Sequence, residues 1–113
     1  MKIENTKAQM RKGVLEYCIL DVIQEKDAAY ASDILGVLKD AKMIVKEGTI
    51  YPLLTRLKNA TLLSYEWEES MSGPPRKYYK LTEKGSSFLV ELETSWNELQ
   101  LAVTKLTNKP KSK

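Results

Sequence analysis

The chain has 113 residues, 42% of them hydrophobic and 29% charged, with a net charge of +3, and that length holds one compact domain with at most an appendage. It contains no histidine and only five glycines, so a serine or cysteine nucleophile lacks its usual base, zinc lacks a common ligand, and no phosphate loop is seen; neither an enzymatic reaction nor a metal or cofactor is expected. No apolar run approaches the roughly 20 residues that span a bilayer, and the polar start Met1–Lys7 has no apolar core, so neither a membrane span nor a secretory leader is expected and the chain is assigned to the cytoplasm.

From Ala8 to Glu25, Met10, Val14, Cys18 and Val22 recur every four residues, with Leu15 and Ile19 beside them. This predicts one face of a first helix. Cys18 is the single cysteine and lies in the apolar stretch Tyr17-Cys18-Ile19-Leu20, which favours a buried, inert thiol over a redox sensor. Asp27-Ala28-Ala29-Tyr30 breaks the period. A second helix is expected from about Ser32, a good N-cap, through Ile34, Leu35 and Leu38. In Lys46–Lys58, Ile50, Leu54 and Leu57 share a face, and Pro52 is accommodated if this third helix starts near Gly48 or Thr49.

Leu63, Tyr65 and Trp67 then alternate with Ser64, Glu66 and Glu68, the pattern of a strand. Ser70–Pro75 is turn chemistry, and Arg76–Leu81 reads as the returning strand of a hairpin with a loop longer than two residues. Thr82-Glu83-Lys84-Gly85 opens a last helix. Leu89, Leu92, Trp96, Leu99, Val103 and Leu106 fill alternate three- and four-residue steps, the a and d positions of three heptads. Such a narrow seam favours self-association; packing on its own domain is the alternative. The tail, residues 109–113, is basic and broken by Pro110, and disorder is expected there.

The expected fold is mainly α with a small β-hairpin (α+β). It comprises a winged helix-turn-helix over residues 1–81 and a long C-terminal helix over 82–108 for dimerisation. In such a fold the third helix enters the DNA major groove and the hairpin touches nearby phosphates. A pI of about 8.9 is only mildly basic, so the distribution of charge matters more than its sum. On the third helix, Gly48, Pro52, Thr55 and Asn59 point away from the apolar row, Tyr51 and Lys58 lie on one flank, and Thr49 and Arg56 on the other. Hydroxyl and guanidinium groups suit bases and phosphates. Lys46, Thr49, Tyr51, Pro52, Thr55 and Arg56 are therefore the candidate DNA-contacting residues of this helix. Arg76 and Lys77, beside Tyr78 and Tyr79, are those of the hairpin. Glu66, Glu68 and Glu69 oppose this reading unless they face away from DNA or pair with the basic strand. A winged-helix scaffold for protein interaction, without sequence-specific DNA binding, is the alternative function.

The segment Lys46-Glu47-Gly48-Thr49-Ile50-Tyr51-Pro52-Leu53-Leu54-Thr55-Arg56-Leu57 closely resembles a signature of the PadR family of repressors. Gly73 to Gly85 resembles that family's wing and the entry to its last helix. The likeness runs from about Lys7 to the end and is to the short branch, whose C-terminal part is one helix. It implies a homodimer built through the last and first helices. It also implies transcription repression at a nearby promoter, relieved by a small molecule or by stress.

Trp96 occupies an a position, where coiled coils prefer smaller residues. Its ring would hold two helices apart and leave an apolar space flanked by Leu92 and Leu99 and lined by Met10 and Val14. In short relatives of the family that bind drugs, a tryptophan in this helix stacks on flat aromatic ligands. Simple packing of the interface is the other reading. Glu93 and Gln100 leave the charge preference of a planar apolar ligand open.

Overall fold

The computed structural model describes residues 1–108, so the expected disorder of 109–113 falls outside the described residues. The elements are α1 (Ile3–Lys26), α2 (Ala31–Asp40), α3 (Glu47–Asn59), β1 (Leu63–Ser70), β2 (Gly73–Leu81) and α4 (Glu83–Thr107). Three helices, an antiparallel hairpin and a long final helix make the expected α+β winged helix-turn-helix. Among the described residues, no helix is long and apolar enough to cross a membrane.

The first helix starts at Ile3, five residues before the apolar period begins, with Glu4 in its first turn, where the helix dipole favours an acid. Its buried row is Leu15, Ile19 and Ile23, with Leu20. The row Met10, Val14, Cys18, Val22 runs along the flank instead: Met10 is exposed and the other three are half-buried. Burial pushes the Cys18 thiol above its ordinary range, and Asp21 adds to this. The thiolate is thereby disfavoured, in keeping with an inert thiol.

Helix α2 is capped at Tyr30, not Ser32. Ala29 is held extended by an isolated bridge to β2, its N–H donating to the Tyr79 carbonyl at 2.9 Å and its carbonyl accepting the Tyr79 N–H at 2.8 Å. The helix begins as soon as that pairing ends. The Asp33 carboxylate then accepts the Tyr30 N–H at 3.1 Å, satisfying one of the donors that the helix start leaves unpaired. The C-termini of α2 and α3 both close with a residue of positive φ, Lys42 (70°) and Thr61 (63°). In each, the next amide reaches back five residues, Met43 to Leu38 at 2.8 Å and Leu62 to Leu57 at 3.0 Å. These are Schellman closures made without glycine, each accompanied by an apolar pair.

Helix α3 starts at Glu47, slightly earlier than expected, which makes Pro52 its sixth residue. Pro52 has no N–H to donate to the Gly48 carbonyl. Gly48 is exposed, so water can serve that oxygen. Ile50, Leu54 and Leu57 are buried as expected. They join Leu15, Ile19, Leu20, Ile23, Ile34, Leu38, Leu62, Leu63, Tyr79 and Leu89 in one core.

The hairpin is tighter than expected. β1 runs to Ser70 and β2 starts at Gly73, leaving Met71 and Ser72 as the turn. Register runs from Leu63 opposite Leu81 to Glu68 opposite Arg76, then shifts before Ser70 opposite Gly73. The shift lies across from Pro74 and Pro75, which have no N–H to give a ladder. Burial fades along the inward row from Leu63, buried, through Tyr65, half-buried, to Trp67, exposed.

Helix α4 is anchored at its start. The Thr82 hydroxyl accepts the Gly85 N–H at 2.9 Å and donates to the Thr61 carbonyl at 2.7 Å. Gly85 is buried against the Leu62 backbone, and a Cβ there would lie 3.0 Å from the Leu62 carbonyl carbon and 2.8 Å from Leu81 Cδ2. Gly85→Ala is therefore expected to lower stability by about 1–3 kcal/mol, from overpacking against backbone that cannot turn aside. Urea unfolding followed by circular dichroism measures it; an unchanged midpoint would contradict this packing.

Candidate nucleic-acid interface

Two surfaces meet at the candidate interface. One is the solvent side of α3, turned outward because Ile50, Leu54 and Leu57 bury the other side. The second is the hairpin, whose base is held by the Ala29–Tyr79 bridge. Between them lies an open groove of about 520 Å³. Four expected DNA-contacting residues line it: Tyr51 and Thr55 from α3, and Arg76 and Lys77 from the hairpin. Lys46, Thr49, Pro52 and Arg56 are not in that lining. They lie on the rest of the exposed surface of α3 and its N-cap.

Arg56 has a partner that sequence reasoning missed. Its Nη1 lies 2.9 Å from Glu16 Oε2 on α1. One edge of the guanidinium is thus taken, while 72% of the side chain stays open to solvent. Arginine carries five N–H donors in a fixed fork, so donors remain for an external acceptor.

The wing's charges are arranged rather than scattered. Arg76 stacks over the Tyr30 ring, 3.9 Å from its centroid. The Tyr30 hydroxyl donates to Glu68, and its ring lies 4.7 Å from that of Tyr78. The Glu68 bond pushes the Tyr30 hydroxyl above the usual tyrosine range, keeping it protonated. Glu68 also stands opposite Arg76 in register. Its hydrogen bond, however, goes to Tyr30 rather than to the basic strand. Lys77 stands opposite Trp67, with its ammonium 4.6 Å from the Tyr65 ring centroid and 5.3 Å from that of Trp67. Lys58 approaches Tyr65 from α3 at 5.8 Å.

Tyr30, Ser32 and Trp67 also line the groove, and the sequence offered no role for them there. Trp67 had one available signal. It continues the inward alternation of Leu63 and Tyr65 past the point where the core ends.

The residues expected at an effector site all lie on α1 and α4, which pack on each other. Val14, Leu92 and Trp96 are half-buried, whereas Met10 and Leu99 are 72% and 54% exposed. Beyond Leu99, Val103 and Leu106 are exposed as well. The molecule's long dimension of 66 Å is consistent with a last helix that runs past the body. Among the described residues, no group of three or more His, Cys, Asp or Glu could hold a metal ion.

The architecture is that of a winged helix-turn-helix regulator whose groove gathers hydroxyl, aromatic and basic side chains. Residues 19–91 match the model of the transcriptional regulator PadR-like family, and the chain belongs to that family. It is 65% identical to a PadR-like transcription factor from Bacteroides fragilis, covering 91% of this chain and 99% of that one, with a TM-score of 0.75. A PadR family transcriptional regulator from Eggerthella lenta is 32% identical over 96% of this chain and 94% of its own, with a TM-score of 0.82. Bacillus subtilis PadR, whose structure is known in complex with operator DNA, is 26% identical. That match covers 70% of this chain and 45% of PadR, with a TM-score of 0.65.

Proposed function

We propose that the chain is a cytoplasmic, DNA-binding transcriptional repressor that acts as a homodimer on an inverted-repeat operator. The observation that carries this reading is the groove between α3 and the hairpin. It draws Tyr51, Thr55, Arg76 and Lys77 together from two separate stretches of sequence. Tyr51 and Thr55 offer hydroxyls to base edges or phosphates, and Arg76 and Lys77 offer charge to the backbone. Lys46, Thr49, Pro52 and Arg56 extend the contact along α3. The relation to a protein with an operator complex supports DNA as the partner. The related proteins are described as transcription regulators, so no reaction is assigned.

Residues 1–81 are the DNA-reading unit and residues 82–108 the dimerisation helix. Leu99, Val103 and Leu106 continue the seam of Leu89, Leu92 and Trp96 and are exposed in one protomer. Exposed apolar area of this kind is relieved when a symmetry mate covers it. Two-fold symmetry in the protein is mirrored by two half-sites in the operator. We further propose that a planar apolar ligand enters the seam beside Trp96, lined by Met10, Val14, Leu92 and Leu99, and releases DNA. Release requires that the ligand favour a dimer geometry other than the DNA-bound one.

Footprinting upstream of the protein's own gene tests the DNA reading, with a protected inverted repeat as the expected result. Tyr51→Ala or Arg56→Ala should each cost about 1–3 kcal/mol of operator binding. If both variants bind as the parent does, the DNA surface lies elsewhere. Leu99→Lys should place two charges on the seam and give monomers in sedimentation, where the parent sediments as a dimer. Planar dyes should quench Trp96 in a Trp67→Phe background and weaken operator binding. Absence of quenching by any planar compound would leave Trp96 a packing residue.

A further inference from the structure

Arg76 and Lys77 both border the groove, but their side chains leave opposite faces of β2. Successive side chains on a strand point to opposite faces. Tyr79 is buried, so Lys77 shares the face of β2 that turns toward the body. Arg76 shares the other face with Tyr78 and is mounted on Tyr30. The same alternation on β1 puts Tyr65 and Trp67 beside Lys77, and Glu66 and Glu68 beside Arg76. On the body-facing side Tyr65 stands opposite Tyr79 and Trp67 opposite Lys77, so no acid is paired with any of the four, and Glu69 falls at the register shift.

Trp67 is the anomaly on that face. It is 61% exposed and lies in the lining of the groove across from Tyr51 and Thr55. Its ring meets Tyr65 edge-on, with centroids 5.9 Å apart, and carries the Lys77 ammonium on its face. An ammonium held over two rings is oriented before any ligand arrives. A large indole left open beside it offers an apolar platform next to a positive charge.

We propose that Trp67 and Lys77 form one composite contact that takes a single deoxyribose-phosphate unit of duplex DNA. The sugar lies on the indole, and the phosphate meets the ammonium. This rests on the DNA-binding reading above and deepens it by giving the wing a contact of defined chemistry. Sugar and phosphate are the same at every nucleotide, so this contact adds affinity and position but no sequence preference. Sequence discrimination is left to α3.

Anisotropy of labelled duplexes tests it, using the operator and a mixed-sequence duplex several helical turns long. Lys77→Gln should weaken both alike and lower the logarithmic salt slope by about one. Trp67→Ala should weaken both about fivefold with the slope kept, since it removes apolar contact and no charge; Trp67→Phe should keep most of the affinity. In a Trp96→Phe background, emission from the native Trp67 should shift at saturating mixed-sequence DNA, a result that holds even if Trp67→Ala fails to fold. Trp67 emission unmoved by saturating DNA, or a folded Trp67→Ala that binds both duplexes like its parent, would overturn the proposal while leaving DNA binding intact. If the parent protein binds neither duplex, the DNA-binding reading itself fails.

Discussion

Two backbone hydrogen bonds between Ala29 and Tyr79 place the wing. A two-stranded hairpin is marginal by itself and needs a third strand or a packed face. Ala29 supplies one residue of that third strand, and Tyr79 buries its ring in the core. The side chain of the next residue, Tyr30, then reaches across the sheet to Arg76, Tyr78 and Glu68. The same short stretch also starts α2, so helix-turn-helix and wing share one anchor. The groove between α3 and the hairpin exists because both walls are fixed to that anchor and to the buried row of α3.

Charge on this molecule is small in sum and ordered in place. A net charge of +3 would not by itself attract a polyanion strongly. What matters is that two of the acids near the groove are engaged locally. Glu68 accepts the Tyr30 hydroxyl, and Glu16 lies against one edge of Arg56. The cations remain at the surface, Arg56 on α3 and Arg76 and Lys77 on the wing, two of them stacked on rings. Pairing at such exposed sites is weak, so those cations stay available to phosphate.

Apolar surface is divided with similar economy along α4. Its first turns enter the core through Leu89, and Gly85 lets the helix start pass close to the Leu62 backbone. From Leu99 onward the seam leaves the body, and its residues are open. One continuous heptad pattern thus serves two environments. The half near Leu89 packs against the core, and the half from Leu99 onward is left exposed.

The sequence by itself determined the element order, the inward row Ile50-Leu54-Leu57, the Thr82 start of α4 and the family signature. Each rests on spacing along the chain, which local periodicity and capping chemistry express directly. Tertiary structure alone decided which row of α1 is buried, because two apolar rows one residue out of step look equally good until α4, β2 and α2 pack on one. It moved the α2 cap from Ser32 to Tyr30, since the bridge to Tyr79 joins residues fifty positions apart. It tightened the hairpin turn, because pairing across the two prolines tolerated a register shift. It also turned Arg76 and Lys77 to opposite faces of β2, brought Tyr30 and Trp67 to the groove and set Glu16 against Arg56. Those placements depend on strand alternation combined with contacts between distant segments, and no period in the chain encodes them.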